Sequence, residues 1–285
     1  LRLTWTETYE INMAGLAATL LFSAAGAGGI ALTYWALRKA GMRRRDTGRR
    51  MVAFLTLHYA FYPIALIVFG VLLRTGVLNG NHSVELTIVP AAVAGLLLVF
   101  GVLVALIPPD LERRVAPFVR GERGRSIAHA IARVPATVGE GFRFALGLFA
   151  HPSRGGLAVL GAAGFWAANI GILWASFHAF GVHVPLAVVV QGFFLGMVAN
   201  LFPFAPAGVG AVDAGMIGAF VLFGLPEDTI FPAVLVYRLV AFWMPIPFGV
   251  VAFFQLRKKV GEWESDGLPI DRSPRPDSEL EPARS

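Results

Sequence analysis

An aspartate and an arginine stand where this chain can least easily hold them. Asp213 follows the run "PFAPAGVGAV", and Arg238 lies inside "AVLVYRLVAFW". Ionisable groups within apolar spans are costly, so they point to pairing or to cargo. The proline and glycine break before Asp213 strips helix from the chain and leaves backbone N–H groups unpaired. Inside a membrane this is tolerated only where those groups face protein or a water-filled cavity. A helix N-terminus of this kind, with an arginine close by, can receive an anion such as a lipid phosphate. On that reading Asn200, Pro206, Gly208, Gly210, Asp213, Tyr237 and Arg238 form a substrate site. Asp213 would counter a cationic headgroup, or hold Arg238 until the substrate displaces it. Simpler readings stand beside it. Asp213 also suits the first turn of a helix, stabilised by the dipole and the free amides. Arg238 could snorkel outward or bridge to Asp213 as a structural pair. Asn169, Gln191, Asn200 and Tyr237 are polar groups of the kind that also bond helix to helix.

Other chemistry finds little support. Cysteine is absent, which removes thiol nucleophiles, disulfides and thiolate metal sites. The six histidines are scattered, with no HExxH or comparable ligand spacing. Intramembrane aspartyl proteolysis needs two buried aspartates, and only Asp213 qualifies. "GVGAVDAG" resembles a dinucleotide loop superficially, since no strand precedes it. No catalytic constellation, cofactor or metal is expected.

The elements that must position these residues follow from composition. The chain is 56% hydrophobic and 15% charged, against about a quarter charged in soluble domains. Apolar runs at 52–73, 86–107, 157–180 and 230–254 are each long enough to cross a ~30 Å hydrocarbon core. Two pieces, 12–37 and 186–223, are broken by glycine or proline into arms too short to cross comfortably. The first reads as one broken span or as a re-entrant hairpin. The second reads as a re-entrant hairpin or a tight pair of crossings. The expected fold is an all-α polytopic membrane protein with about four full spans and two broken or re-entrant helical hairpins.

Of 24 Lys and Arg, seven lie in 38–50, eight in 113–154 and six after residue 256. Basic residues in alternate loops place those loops and the C-terminal tail in the cytoplasm, and suit anionic lipid headgroups. The same placement argues against nucleic acid as a partner. The hairpins then enter from opposite sides, which points to an inverted repeat with a site near the midplane. Residues 126–150 place Ile127, Ile131, Val134, Val138 and Phe142 at helical spacing, as in an amphipathic interfacial helix or one packed on the spans. Residues 1–256 are thus expected to form the membrane domain, and 257–285 a disordered cytoplasmic tail. The start at Leu1, without methionine or signal pattern, predicts that earlier spans precede it.

The segment "NLFPFAPAGVGAVDAGMIGAFVLFGLPEDTIFPAVLVYRLVAFWMPIPFGVVAF" resembles the C-terminal signature of the lysylphosphatidylglycerol synthase membrane-domain family, also called flippase-like. That signature runs N, then P-G-G-x-G-x-x-E, a glycine-ended helix, and Y-R in the last span. Asn200, Pro206, Gly208, Gly210, Tyr237 and Arg238 fall on it in order, with Ala207 in place of glycine and Asp213 in place of glutamate. "AAGAGGIALTYWALRKAGM" is similar to the family's other glycine element and adds Gly28 and Gly29 to the substrate-binding candidates. Thr33, Tyr34 and Trp35 stand there where many members carry an arginine or an acid. The tail is too short for the namesake's aminoacyl-transfer domain.

The resemblance implies a stand-alone membrane domain of the inner membrane. It would move an anionic or aminoacylated phospholipid, or a lipid-linked precursor, between leaflets without synthesising it. The alternative is a non-transporting scaffold or accessory subunit of a lipid- or glycan-modifying enzyme, working through 113–150. Membrane lipids are the expected partners, with a second copy or a membrane enzyme as further ones.

Overall fold

The computed structural model describes residues 4–21, 27–106, 138–201 and 209–265. The chain is an all-α polytopic membrane protein, and the described residues contain no strand. Its helices are α1 (Trp5–Leu21), α2 (Ala27–Lys39), α3 (Arg44–Arg74), α4 (Val84–Ala105), α5 (138–150), α6 (Pro152–Ala179), α7 (Leu186–Met197), α8 (Ala211–Leu222), α9 (Glu227–Arg238) and α10 (Pro245–Ser265). A 3-10 turn, Val198–Leu201, extends α7, and a π-helical turn, Leu239–Trp243, joins α9 to α10.

Four segments are long and apolar enough to span a bilayer: α3, α4, Gly155–Ala179 within α6, and the composite Glu227–Trp263. They coincide with the four expected runs. Much of their apolar surface faces outward, as Leu96, Phe100 and Leu103 do on α4. Lipid removes the hydrophobic cost of exposing such side chains.

Within 12–37, α1 and α2 lie antiparallel, as a hairpin rather than one broken span. Ile11 and Ala36 share a buried cluster, and Gly15 lies against Thr33 and Gly29. The approach is tight: a Cβ on Gly29 would stand 2.4 Å from the Gly15 carbonyl oxygen. Within 186–223, α7 packs against α8 as a second pair. Twelve residues in each arm rise roughly 18 Å, too little to cross.

The hairpins enter from opposite ends. At one end gather the basic residues: Arg45 pairs with Glu140 at 2.5 Å, Arg143 donates to the Ala105 carbonyl, and Lys259 donates to Glu10 at 2.7 Å. Hairpin α1–α2 opens there. At the other end Asn81 reaches the Leu222 carbonyl at 3.5 Å, and Gly80 faces Leu73 and Val188. Hairpin α7–α8 opens there. Positive charge sorts with one end because the loops that carry it alternate with the spans.

Proline and glutamine cooperate where α7 meets α4. The Leu86 carbonyl would accept from the amide of residue 90, but residue 90 is proline and has no N–H. The fully buried Gln191 fills that place, donating Nε2–H to Leu86 O at 3.0 Å. Gln191→Leu is expected to cost about 1 kcal/mol, read as a lowered melting temperature in detergent. In a Pro90→Ala background the same substitution should cost nothing, because residue 90 then supplies the missing donor.

One expectation needs correction. Residues 257–265 are not part of a disordered tail; they continue α10. Leu256 and Val260, one turn apart, bury against Ile11 and Ala36 and carry the helix onward. Residues 266–285 lie outside the described residues, as does 126–137 of the expected amphipathic helix. The last expected span is present, with the π turn inside it. Pro245 and Pro247 remove N–H donors just beyond it, and the Met244 amide reaches back five residues to the Leu239 carbonyl at 3.0 Å.

Candidate functional site

The site is built where hairpin α7–α8 meets the composite helix. Gly210 precedes α8 with φ +83°, a left-handed conformation that favours glycine. That turn starts α8 and sets Asp213 in its first turn. The Asp213 carboxylate accepts the Gly210 N–H at 2.9 Å, half of a capping box. Its other oxygen accepts from Arg238 Nε, closing an ion pair across 25 residues of sequence. Both structural alternatives for Asp213 thus hold at once: it caps the helix and bridges the hairpin to α9.

Depth follows from helix rise. Asp213 lies nine residues from the end of α8 and Arg238 eleven from the start of α9. These are roughly 14 and 16 Å at ~1.5 Å per residue, about half of a ~30 Å core. The pair thus lies well in from the end at which hairpin α7–α8 opens. It is not sealed, since the Arg238 side chain is 12% exposed and that of Asp213 is 26% exposed. The guanidinium also lies over the Phe242 ring, 5.1 Å from its centroid. A cation–π contact there holds the head in place on the π turn.

Tyr237 turns the other way. Its hydroxyl donates to Asn169 Oδ1 on α6 at 3.2 Å, and its ring meets Phe193. Asn169 in turn donates to the Phe165 carbonyl of its own helix at 2.9 Å. Tyr237 and Asn169 therefore act between helices, adjacent to the charged pair. Asn200 belongs to the 3-10 turn after α7, and its side chain lies outside the described residues, as do Pro206 and Gly208. Gly28 and Gly29 open α2 in the other hairpin; Gly28 is half-buried and Gly29 is pressed onto α1. The structure does not bring them into contact with Asp213 or Arg238.

It does bring the two hairpins to one helix. Asp213 meets the composite helix at Arg238, and Ala17 meets it at Gly249, where an added Cβ would stand 2.4 Å from Ala17 Cβ. The two contacts are eleven residues apart with the π turn between them.

Sequence reasoning passed over two residues. Phe242 is one turn beyond Arg238, a spacing that marks a cation–π partner. Glu10 is the other, its side chain 5% exposed and paired with Lys259, while its second oxygen finds no hydrogen bond. An acid in the turn before "INMAGLAATLL" is the signal that would have found it. A larger cavity of about 520 Å³ between α3, α6 and α7 is walled by Ile64, Val68, Ile170, Trp174 and Phe194, among others. Its walls carry no charged side chain to orient a ligand, and it lies apart from the ion pair.

Comparison with known proteins agrees with this architecture. Residues 1–249 match the family described as the lysylphosphatidylglycerol synthase TM region. A "UPF0104 membrane protein" of Methanothermobacter thermautotrophicus is 33% identical over 103 residues, 36% of this chain and 30% of that protein. A second match to a protein of that name and organism is 33% identical over 79 residues, 28% of this chain and 24% of the relative. The matched segments thus span less than a third of these relatives' lengths. No solved structure matches the chain. A multi-pass helical bundle with two opposed hairpins, matched over residues 1–249, belongs to the lysylphosphatidylglycerol synthase transmembrane-region family.

Proposed function

We propose that the chain is a lipid translocase, which moves an anionic or aminoacylated phospholipid or a lipid-linked precursor between leaflets and does no chemistry on it. The observation that carries this reading is the Asp213–Arg238 pair, which joins the first turn of α8 to α9 well in from the end of the bundle, a depth we take as near the bilayer midplane. A charge pair there gives a headgroup a polar station halfway across a barrier that otherwise has none. The lipid phosphate takes the place on Arg238 that Asp213 holds in the resting protein. Asp213, still bonded to the Gly210 amide, is then available to a cationic group on the same lipid.

The opposed hairpins support the reading, because transporter folds built this way place the site between broken elements. The positive-inside rule supports a cytoplasmic placement of the basic end, where α10 ends, in an inner-membrane protein.

The test is leaflet exchange of labelled anionic lipid in liposomes holding the purified chain. Wild type is expected to exchange well above protein-free liposomes, and Arg238→Ala to fall to that background. Equal background exchange by both overturns the reading for the lipids used. Loss of a co-purifying enzyme on deletion of 113–150, with Arg238→Ala harmless, would favour the accessory-subunit alternative.

A further inference from the structure

A second groove lies on the other hairpin. It is about 300 Å³ in volume and is bounded by Leu32 and Trp35 of α2 and by Phe253 and Arg257 of α10. Both helices run toward the basic end, so the groove has a direction. Leu32 and Phe253 form its deep part. Trp35 and Arg257, each about one turn further on, form its mouth. Trp35 lies one turn before Arg38, and Arg257 lies two residues before Lys259, so the mouth is at headgroup level. Tryptophan is favoured at that level, where an apolar ring meets water.

Arg257 is a cation on the groove itself, and the nearby basic residue Lys259 is already neutralised by Glu10. Among the described residues Arg257 enters no ion pair, and it is exposed. The helices flanking it also touch unequally. α1 packs along the length of α10, whereas α2 meets α10 sparsely, and the groove is the gap that results.

We propose that this groove binds one anionic phospholipid of the leaflet at the basic end, with its phosphate on Arg257 and an acyl chain against Leu32, Trp35 and Phe253. Such a molecule matches both features: a negative head for the arginine and hydrocarbon for the walls. It bridges α2 to α10 and so fastens the open side of hairpin α1–α2. This site is distinct from the Asp213–Arg238 station and stands whether or not the protein moves lipid.

The experiment is native mass spectrometry of the full chain in detergent, titrated with phosphatidylglycerol or phosphatidylcholine. Wild type is expected to retain one phosphatidylglycerol more tightly than phosphatidylcholine. Arg257→Gln should weaken that retention about fivefold, the effect of one basic residue at a membrane surface. Leu32→Trp, which fills the groove and keeps the charge, should weaken it comparably. Lys258→Gln removes an adjacent cation outside the groove and should leave it unchanged. The proposal is overturned if Arg257→Gln binds as wild type does, if Lys258→Gln loses as much, or if glycerol phosphate displaces the lipid. Should Leu32→Trp fail to fold, the comparison of Arg257→Gln with Lys258→Gln decides alone.

Discussion

Replacing Asp213 with alanine is expected to destabilise the protein by about 3 kcal/mol, while replacing both members of its pair is expected to cost far less. The single change strips a carboxylate from a guanidinium that is nearly enclosed, and removes the acceptor of the Gly210 amide. Breaking a buried pair from one side costs about 3–5 kcal/mol, because the remaining charge stays desolvated. Asp213 retains some exposure, which sets the low end of that range. In Asp213→Asn with Arg238→Gln, neither residue is charged and the two amides can still bond. Thermal unfolding of the two variants in detergent separates these outcomes. The same pair of proteins bears on function. If the charges serve only the fold, the double variant should exchange lipid as wild type does. If they form the station proposed for the headgroup, it should fold and yet exchange at background.

Gly29→Ala is the second large effect, and it acts in the other hairpin. The added Cβ would sit 1.9 Å from Thr19 Oγ1 and 2.4 Å from the Gly15 carbonyl oxygen. A threonine rotamer can give way, but backbone cannot. Thr19→Ala should therefore fail to rescue Gly29→Ala. Relief requires α1 and α2 to move apart, which pulls Ala17 from Gly249 and Ile11 from its buried cluster. Overpacking of this kind costs about 1–3 kcal/mol or more. The expected result is loss of a monodisperse peak on size exclusion, or a melting temperature lowered by several degrees. A wild-type profile would show that the arms are not held in contact.

The spans were legible because their signal is length: twenty apolar residues in a row admit few structures other than a crossing helix. Hairpin polarity was legible because charge sorts with the ends that the spans define. The charged pair was legible as one reading among several. Asp213 and Arg238 each stood out as costly, but 25 residues and a turn separate them, and only the folded hairpin shows that they meet. Residues 257–265 misled for a physical reason. The run Arg257, Lys258 and Lys259 reads as a solvated tail, and only the burial of Leu256 and Val260 against another helix keeps it ordered. Glycine carries a similar ambiguity. Gly29 and Gly210 look alike in sequence, yet one admits a neighbouring helix and the other turns the chain.

The π turn at Leu239–Trp243 has a consequence for how this fold can change over time. A π turn carries one residue more than the α-helix it interrupts, and each residue advances a helix by about 100°. The face that α9 shows to Asp213 and the face that α10 shows to Ala17 are therefore phased independently, as two dials on one shaft. Loss or gain of a single codon within this turn would swing one half of the molecule against the other while every contact residue kept its identity. Two hairpins that grip one helix at either side of such a turn can diverge in orientation without substitution of the residues that grip it.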